Sequence, residues 1–310
     1  MKRYFLPEGC NLYRANLHAH SSNSDGAYTP SELKEAYKSH GYSILSITDH
    51  FKLRDYSELS DDGFLMLSGC EIAILQSGDF ETKYKKVCHL NLYPKRPDAK
   101  LFDFDTEYSA EGINRIIEKA RDNGFFTVYN HPAWSMEEHY LDYNGLTGME
   151  IYNASTASMG HDEHNGRIFD EFLRNGKQLL CFANDDCHNA LPENHPYADM
   201  FSGFNMIASP DLSYESVINA IENGHFYASE GPEIYELFEE NGTVYIKTSP
   251  VKEITLITGT RRRARTAVSK NSREYLTETQ FSVDPSDKYF RIEIKCKYGN
   301  KAYTQCYFTD

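Results

Sequence analysis

Between residues 11 and 188 the chain repeatedly ends a short apolar run with a side chain that an apolar interior rejects. Residues 11–20 read as a first strand that closes on His18 and His20 behind apolar Leu17. Residues 43–48 form a second run and lead into Asp49-His50. The run 64–74 holds one charge, Glu71, and the run 87–93 holds His89. Phe125–Tyr129 delivers Asn130-His131-Pro132, Gly148–Tyr152 leads to Asn153, and Gln178–Ala183 runs into Asn184-Asp185-Asp186-Cys187-His188. A carboxylate inside an apolar strand costs several kcal/mol unless it is paired or metal-bound. Intrusions at successive strand ends are compatible with few folds. The C-terminal strand ends of an α/β barrel share one face, and that arrangement collects them in one cavity.

Helical stretches separate these strands. Thr29 at an N-cap, Pro30 at the first helical position and Glu32 three residues on predict a helix to about His40, stopped by Gly41. Further helices are expected at about 109–123, 163–175 and 211–223. Strands alternating with helices predict a parallel α/β core. After about residue 228 the helical pattern stops, and short alternating segments remain at 243–248, 254–258, 289–296 and 302–308. They predict a small all-β, sandwich-like unit. The expected division is 1–228 and 229–310.

His18/His20 and Asp186/His188 are spaced i, i+2, which on a strand places both members on one face. With Asp25, His50, Glu71, His89 and His131 they make nine candidate metal ligands. Three carboxylates and six imidazoles without a thiolate suit Zn, Mn or Fe. They are too many for one ion and about right for three. Cys70 and Cys187 adjoin these positions but face the other way on a strand, which assigns them to packing. His161, His164 and His195 flank the mouth of such a cavity. His161 and His195, with Arg167 at the start of the 163–175 helix, are the candidates for substrate contact or proton transfer. His40 and His139 read as surface residues, His225 as structural, and Arg261-Arg262-Arg263-Ala264-Arg265 as an exposed hairpin.

The net charge of -14 argues against a sequence-independent grip on a nucleic-acid polymer. It leaves room for a small anionic substrate, because bound metals reverse the local sign. The N-terminal residues lack the apolar core of a signal peptide, and no apolar run reaches the roughly eighteen residues of a membrane span. The seven cysteines lack zinc-finger spacing and read as reduced thiols of a cytoplasmic protein.

The motifs His18-Ala-His20, Ser24-Asp25-Gly26, Thr29-Pro30-x-Glu32-Leu33, Gly41-Tyr42, Thr48-Asp49-His50, Gly69-Cys70-Glu71, Asn130-His131-Pro132 and Asp186-Cys187-His188 occur in that order. The chain thereby resembles the polymerase-and-histidinol-phosphatase (PHP) family of metal-dependent phosphoesterases over roughly residues 12–227. The resemblance implies a distorted (β/α)7 barrel with a trinuclear site. One ion would take His18, His20, Glu71 and Asp186, and a second would share Glu71 and take His89 and His131. The third would take Asp25, His50 and His188. The family often has His where Asp25 stands, and a carboxylate there lowers the Lewis acidity of the third ion. The segment 225–232 followed by a β-domain is similar to stand-alone members and to the CehA/McbA-type hydrolases. The implied activity is hydrolysis of a small phosphomonoester or nucleotide-type phosphoester, with a metal-bridging hydroxide as nucleophile. The same site could instead serve a carboxyl ester, amide or carbamate, or belong to an inactive metal-binding accessory module.

Overall fold

The computed structural model describes residues 2–79, 81–261, 264–271 and 273–309. Local chemistry sets the helices. Helix α1 (Pro30–Ser39) starts on the expected capping box, in which the Thr29 side chain meets the Glu32 amide and the Glu32 carboxylate meets the Thr29 amide. Ser109 caps α2 (Ala110–Asp122) and Ser213 caps α4 (Tyr214–Glu222); α3 covers Gly166–Arg174.

Ten strands make the N-terminal part. They are β1 (Asn11–Asn16), β2 (Ile44–Ile47), β3 (Leu65–Ser68), β4 (Cys70–Leu75) and β5 (Val87–Pro94), then β6 (Phe125–Tyr129), β7 (Gly148–Asn153), β8 (Leu180–Asn184), β9 (Phe204–Ser209) and β10 (Phe226–Ser229). Strands β4 to β8 form a five-stranded sheet in sequence order. Alternation along these strands separates core from site. Cys70, Ile72 and Ile74 on β4, Cys88, Leu90 and Leu92 on β5, and Met149 and Ile151 on β7 share one apolar cluster. Glu71, His89, Asn91 and Glu150 occupy the intervening positions, so they point to the opposite face.

The apolar run 64–74 is two strands, not one. It breaks at Gly69, where β3 pairs in parallel with β2 and β4 turns to pair antiparallel with β5. A Cβ at Gly69 would stand 2.6 Å from Ser46 Oγ and 2.9 Å from Thr48 Cγ2, so the crossing point requires glycine. The expected barrel is consequently not one continuous ladder. The two sheets meet through isolated bridges, Ala19 with Cys187 and His50 with Glu71. The outer edge of β8 is satisfied by side chains instead of a strand. The Gln305 amide bonds Cys181 N and O at 2.8 and 3.0 Å, and the Asn205 amide bonds Ala183 N and O at 3.1 and 2.9 Å.

The C-terminal part adds β11 (Ile234–Glu240), β12 (Thr243–Val251), β13 (Glu253–Thr258), β14 (Ala264–Val268), β15 (Leu276–Ser282), β16 (Tyr289–Lys295) and β17 (Lys301–Thr304). Arg3–Tyr4, β11, β12 and β15 form a four-stranded sheet. Strands β14, β13, β16 and β17 continue through β10, β9, β1 and β2 to β3 in a second sheet, so the C-terminal strands extend the N-terminal ones. Val244 and Ile246 of the first sheet share a core with Ile254, Leu256, Ile292 and Ile294 of the second. The expected segment 302–308 is interrupted because Gln305 turns inward to β8. Within the arginine run, Arg262 and Arg263 lie outside the described residues, while β14 returns antiparallel along β13.

A buried ion pair ties the two parts together. Arg291 on β16 donates from Nε and Nη2 to Asp170 on α3 at 2.9 and 2.8 Å, and from Nη1 to Glu293 at 2.7 Å. Arg291 is 2 % exposed. Among the described residues no helix is long and apolar enough to cross a membrane.

Candidate metal centre

All nine predicted ligands converge on one region, in three groups whose donor atoms lie within 4.8 Å of one another. The first group is His18, His20, Glu71 and Asp186, all buried. His18 Nε2 and His20 Nε2 each stand 3.0 Å from Asp186 Oδ1. They stand 3.4 and 3.3 Å from the Glu71 carboxylate. The second group is Glu71, His89 and His131, with His89 Nδ1 and His131 Nε2 at 2.9 and 3.3 Å from Glu71 Oε1. The third is Asp25, His50 and His188, joined by His20. Asp25 Oδ2 lies 3.5 Å from His50 Nε2 and 3.6 Å from His188 Nε2.

Glu71 is the hub. Its Oε1 faces His18, His89 and His131, and its Oε2 faces His20 and His50, the latter at 3.2 Å. Asn130 Nδ2 donates to Oε1 at 2.7 Å and fixes the carboxylate plane. His20 touches two groups, since its Nδ1 is 3.5 Å from Asp25 Oδ1. One neutral imidazole offers a single lone pair, so Nε2 serves the first group while Nδ1–H faces Asp25.

One expectation changes. Asp186 and His188 do not lie on a strand face. β8 ends at Asn184, and Asp186 takes a left-handed backbone conformation with φ 54°. That turn sends Asp186 to the first group and His188 to the third. His131 also sits at positive φ, 28°, at the start of the short helix Pro132–Ser135. Strained backbone at such positions is typical of functional sites.

The donor set fits metal ions better than it fits hydrogen bonding. His20 Nδ1, His50 Nδ1 and Asp186 Oδ1 are buried without a hydrogen-bond partner. Asp186 Oδ1 has two imidazole nitrogens at 3.0 Å but in no hydrogen-bonding geometry. Asp186 Oδ1 and the Nε2 atoms of His18 and His20 thus point at shared space, as ligands of a divalent ion do. Burial opposes the charge on His20, but Asp186 and Glu71 outweigh it and raise its pKa to about 9. Burial likewise opposes charge on His18, yet Asp186, Glu150 and Glu71 raise it well above the usual value. Burial dominates at His89 and lowers it. Burial penalises the Glu71 and Asp186 carboxylates, but the surrounding imidazoles hold both below the usual range.

Residues not singled out in the sequence orient these donors. Glu150, fully buried on β7, accepts from His18 Nδ1 at 2.8 Å, Asn184 Nδ2 at 2.9 Å, His131 N at 2.9 Å and Asn153 Nδ2 at 2.8 Å. A proton on His18 Nδ1 leaves Nε2 free to ligate. Asn153 also reaches Asp186 Oδ2 at 3.2 Å. Asp49 accepts from Ser21 N, Ser21 Oγ and Ser24 Oγ and braces the loop that carries Asp25. Glu150 carried the same signal as Glu71, a lone carboxylate in an apolar strand. Glu150→Gln should weaken metal binding by about 10- to 100-fold, because an amide NH2 would replace an oxygen that accepts two donors. Competition against a chelating dye measures this, and unchanged affinity would remove Glu150 from the orienting role.

The other three candidates are dispersed. His161 lines a hollow that adjoins the cluster. His195 is exposed beside Tyr197, whose amide donates to its Nδ1 at 3.1 Å. Arg167 is 80 % exposed and pairs with Glu171 on its own helix at 3.2 Å. His164 pairs with Glu230 at 3.1 Å.

The family model of the PHP domain matches residues 16–180, more than half of the chain. The chain belongs to the PHP family. The match includes seven of the nine clustered residues and stops short of Asp186 and His188, which the fold brings back to the same place. Among solved structures, a two-domain protein from Bacteroides vulgatus, described as containing a predicted PHP-like metal-dependent phosphoesterase, is similar. The identity is 14%, the TM-score 0.46, and the alignment covers 99% of this chain and 97% of that one. A protein from Bifidobacterium adolescentis, provisionally described as a metal-dependent phosphoesterase, shows 15% identity and TM-score 0.39, over 58% of this chain and 90% of its own. An amidohydrolase from Chromobacterium violaceum with bound sulfate and no metal shows 14% identity and TM-score 0.38, over 59% and 93%. No curated protein matches the chain.

Proposed function

We propose that this PHP protein is a phosphoesterase that holds three divalent ions, Zn, Mn or Fe, and cleaves a small phosphorylated substrate. The observation that carries this is Glu71, one buried carboxylate facing five imidazoles from four segments of the chain with both oxygens. His18, His20, Glu71 and Asp186 would hold one ion, Glu71, His89 and His131 a second, and Asp25, His50 and His188 the third. We take the barrel-like unit 1–228 as the hydrolase and 229–310 as a supporting sheet unit.

Divalent ions, when bound, lower the pKa of water toward neutrality and stabilise negative charge on phosphoryl oxygens. The chain's own part is to fix the ligands and shape the opening. Glu150 and Asn153 hold His18 and Asp186 in place, and Asn130 holds Glu71. Above the cluster lies a hollow of about 180 Å³, bounded by Trp134, Thr156 and Met159. It has room for a phosphoryl-sized head group. His161 is the candidate for contact with the leaving group, ahead of His195 and Arg167, because it lines the adjoining space. The free state of all seven cysteines is in keeping with a reducing, cytoplasmic setting.

A screen of phosphomonoesters, nucleotides, phosphodiesters, carboxyl esters and amides, with Mn²⁺ and with Zn²⁺, tests the reading. Phosphoester turnover that is lost with chelator and restored by metal is expected. Turnover of carboxyl esters or amides alone would refute it. A second expectation follows from His20. At pH 7.5 a pKa of about 9 leaves its imidazole protonated in chelator-stripped protein, and ligation needs the neutral form. Titrating Zn²⁺ into stripped protein in weak buffer should therefore release protons. Affinity should fall as pH falls, because protons compete more strongly. Binding without proton release would mean that His20 is not a ligand or is already neutral in the stripped protein.

A further inference from the structure

A second hollow opens beside the cluster, with a volume of about 590 Å³. It shares His89 and Trp134 with the smaller hollow above the metal ligands. The two strands that bring Glu71 and His89 to the cluster run onward into its wall. Leu75 on β4 and Val87 on β5 are paired opposite each other there. The segment after His131 closes the other side with Trp134 and Met136. The Trp134 ring packs against His131 and His89, with centroids 4.9 and 5.4 Å away. Leu75 and Met136 are 39% and 47% exposed, large apolar side chains left in water next to a polar cluster. Exposed apolar surface at such a place marks a ligand site more often than chance. The volume lies in the range of small-molecule pockets, which combine apolar walls with a few polar groups. Besides His89, the polar groups of the lining are Thr82, Lys85, His161 and Lys83, the last paired with Glu81 at 2.8 Å.

We propose that this hollow binds an uncharged aromatic part of the substrate while the hydrolysable group sits at the cluster. The proposal rests on the phosphoesterase reading for the identity of that group. The division follows from size and polarity. The hollow above the ligands takes a phosphoryl group and little more, and the neighbouring apolar space takes a ring. Preferred substrates are then phosphoesters that carry an aromatic group within a few bonds of phosphorus.

The test compares 2-phenylethyl phosphate with ethyl phosphate, two alkyl esters with similar leaving groups, on Mn²⁺-loaded protein. The phenylethyl ester should show a kcat/KM on the order of 30-fold higher, from burial of the ring. Binding is read separately with the non-hydrolysable 2-phenylethylphosphonate and ethylphosphonate. Trp134 is the only tryptophan of the chain, so its emission reports directly on the hollow. The phenylethyl compound should bind more tightly and alter that emission. The doubly substituted Leu75→Gln/Met136→Gln protein should lose most of both preferences, and its circular dichroism should match the parent. Equal affinities and equal kcat/KM for the two pairs, or preferences that survive the double substitution, overturn the proposal. Tighter phenylethylphosphonate binding with no hydrolysis of either phosphate supports the aromatic site and rejects the phosphoesterase reading instead.

Discussion

Replacing Asp186 with alanine should lower metal-dependent kcat on p-nitrophenyl phosphate by about 100- to 1,000-fold, the scale on which loss of one preorganised charge-stabilising group acts. Asp186 Oδ1 is the only atom 3.0 Å from both His18 Nε2 and His20 Nε2 among the contacts described. Its removal leaves the first group with two imidazoles and a carboxylate that the second group shares, which weakens its hold on an ion. Bound metal should fall with activity. Asn153 would lose one partner but keep Glu150, so the fold should survive. Steady-state kinetics and metal analysis on the same preparation check both parts. Full activity in this variant, or in His18→Ala, would show that the first group is not the reaction centre.

The second large effect concerns stability. Arg291→Ala should destabilise the protein by about 3–5 kcal/mol, because it removes the buried, two-pronged cation from the Asp170 carboxylate. Asp170 would retain the Tyr289 hydroxyl at 3.1 Å and the half-exposed Arg174 guanidinium at 3.8 Å. Lysine at 291 should not restore stability, since a single ammonium cannot match the two-pronged geometry. A paired Arg291→Met/Asp170→Leu change should recover part of the loss, because it leaves only the partly exposed Glu293 carboxylate without its cation. The midpoint of thermal unfolding would report a fall on the order of 10 °C for the alanine variant. A change below 2 °C would mean that this link between β16 and α3 carries little of the fold.

Features encoded within a few residues were legible in the sequence. The Thr29–Glu32 capping box and the Ser109 start of α2 need only their own segment. Most of the clustered His, Asp and Glu residues were legible because they intrude on or close an apolar run; Asp25, in a polar loop, was placed by its spacing from His20 and by the family resemblance. What escaped depends on distant partners. The sheet change at Gly69 is imposed by Ser46 and Thr48 on a neighbouring strand segment. The Gln305 and Asn205 amides look like ordinary polar residues until β8 lies beside them. The pairing of Arg3–Tyr4 with Phe238 and Glu239 joins opposite ends of the chain. Asp186 and His188 show the limit of spacing arguments. Their i, i+2 separation suggested one face, but a positive φ at Asp186 redirects them to different groups. Glu150 was missed although it intrudes on an apolar strand as Glu71 does, because most of the donors it accepts from stand on other segments.

The most direct test is the number of divalent ions per chain in protein purified without chelator, dialysed and analysed by inductively coupled plasma mass spectrometry. Three groups of donors around Glu71 predict about three ions per chain, falling with Asp186→Ala in step with activity. Fewer than one ion per chain after growth in Zn, Mn and Fe, in protein that still turns over substrate, would contradict the three-ion centre.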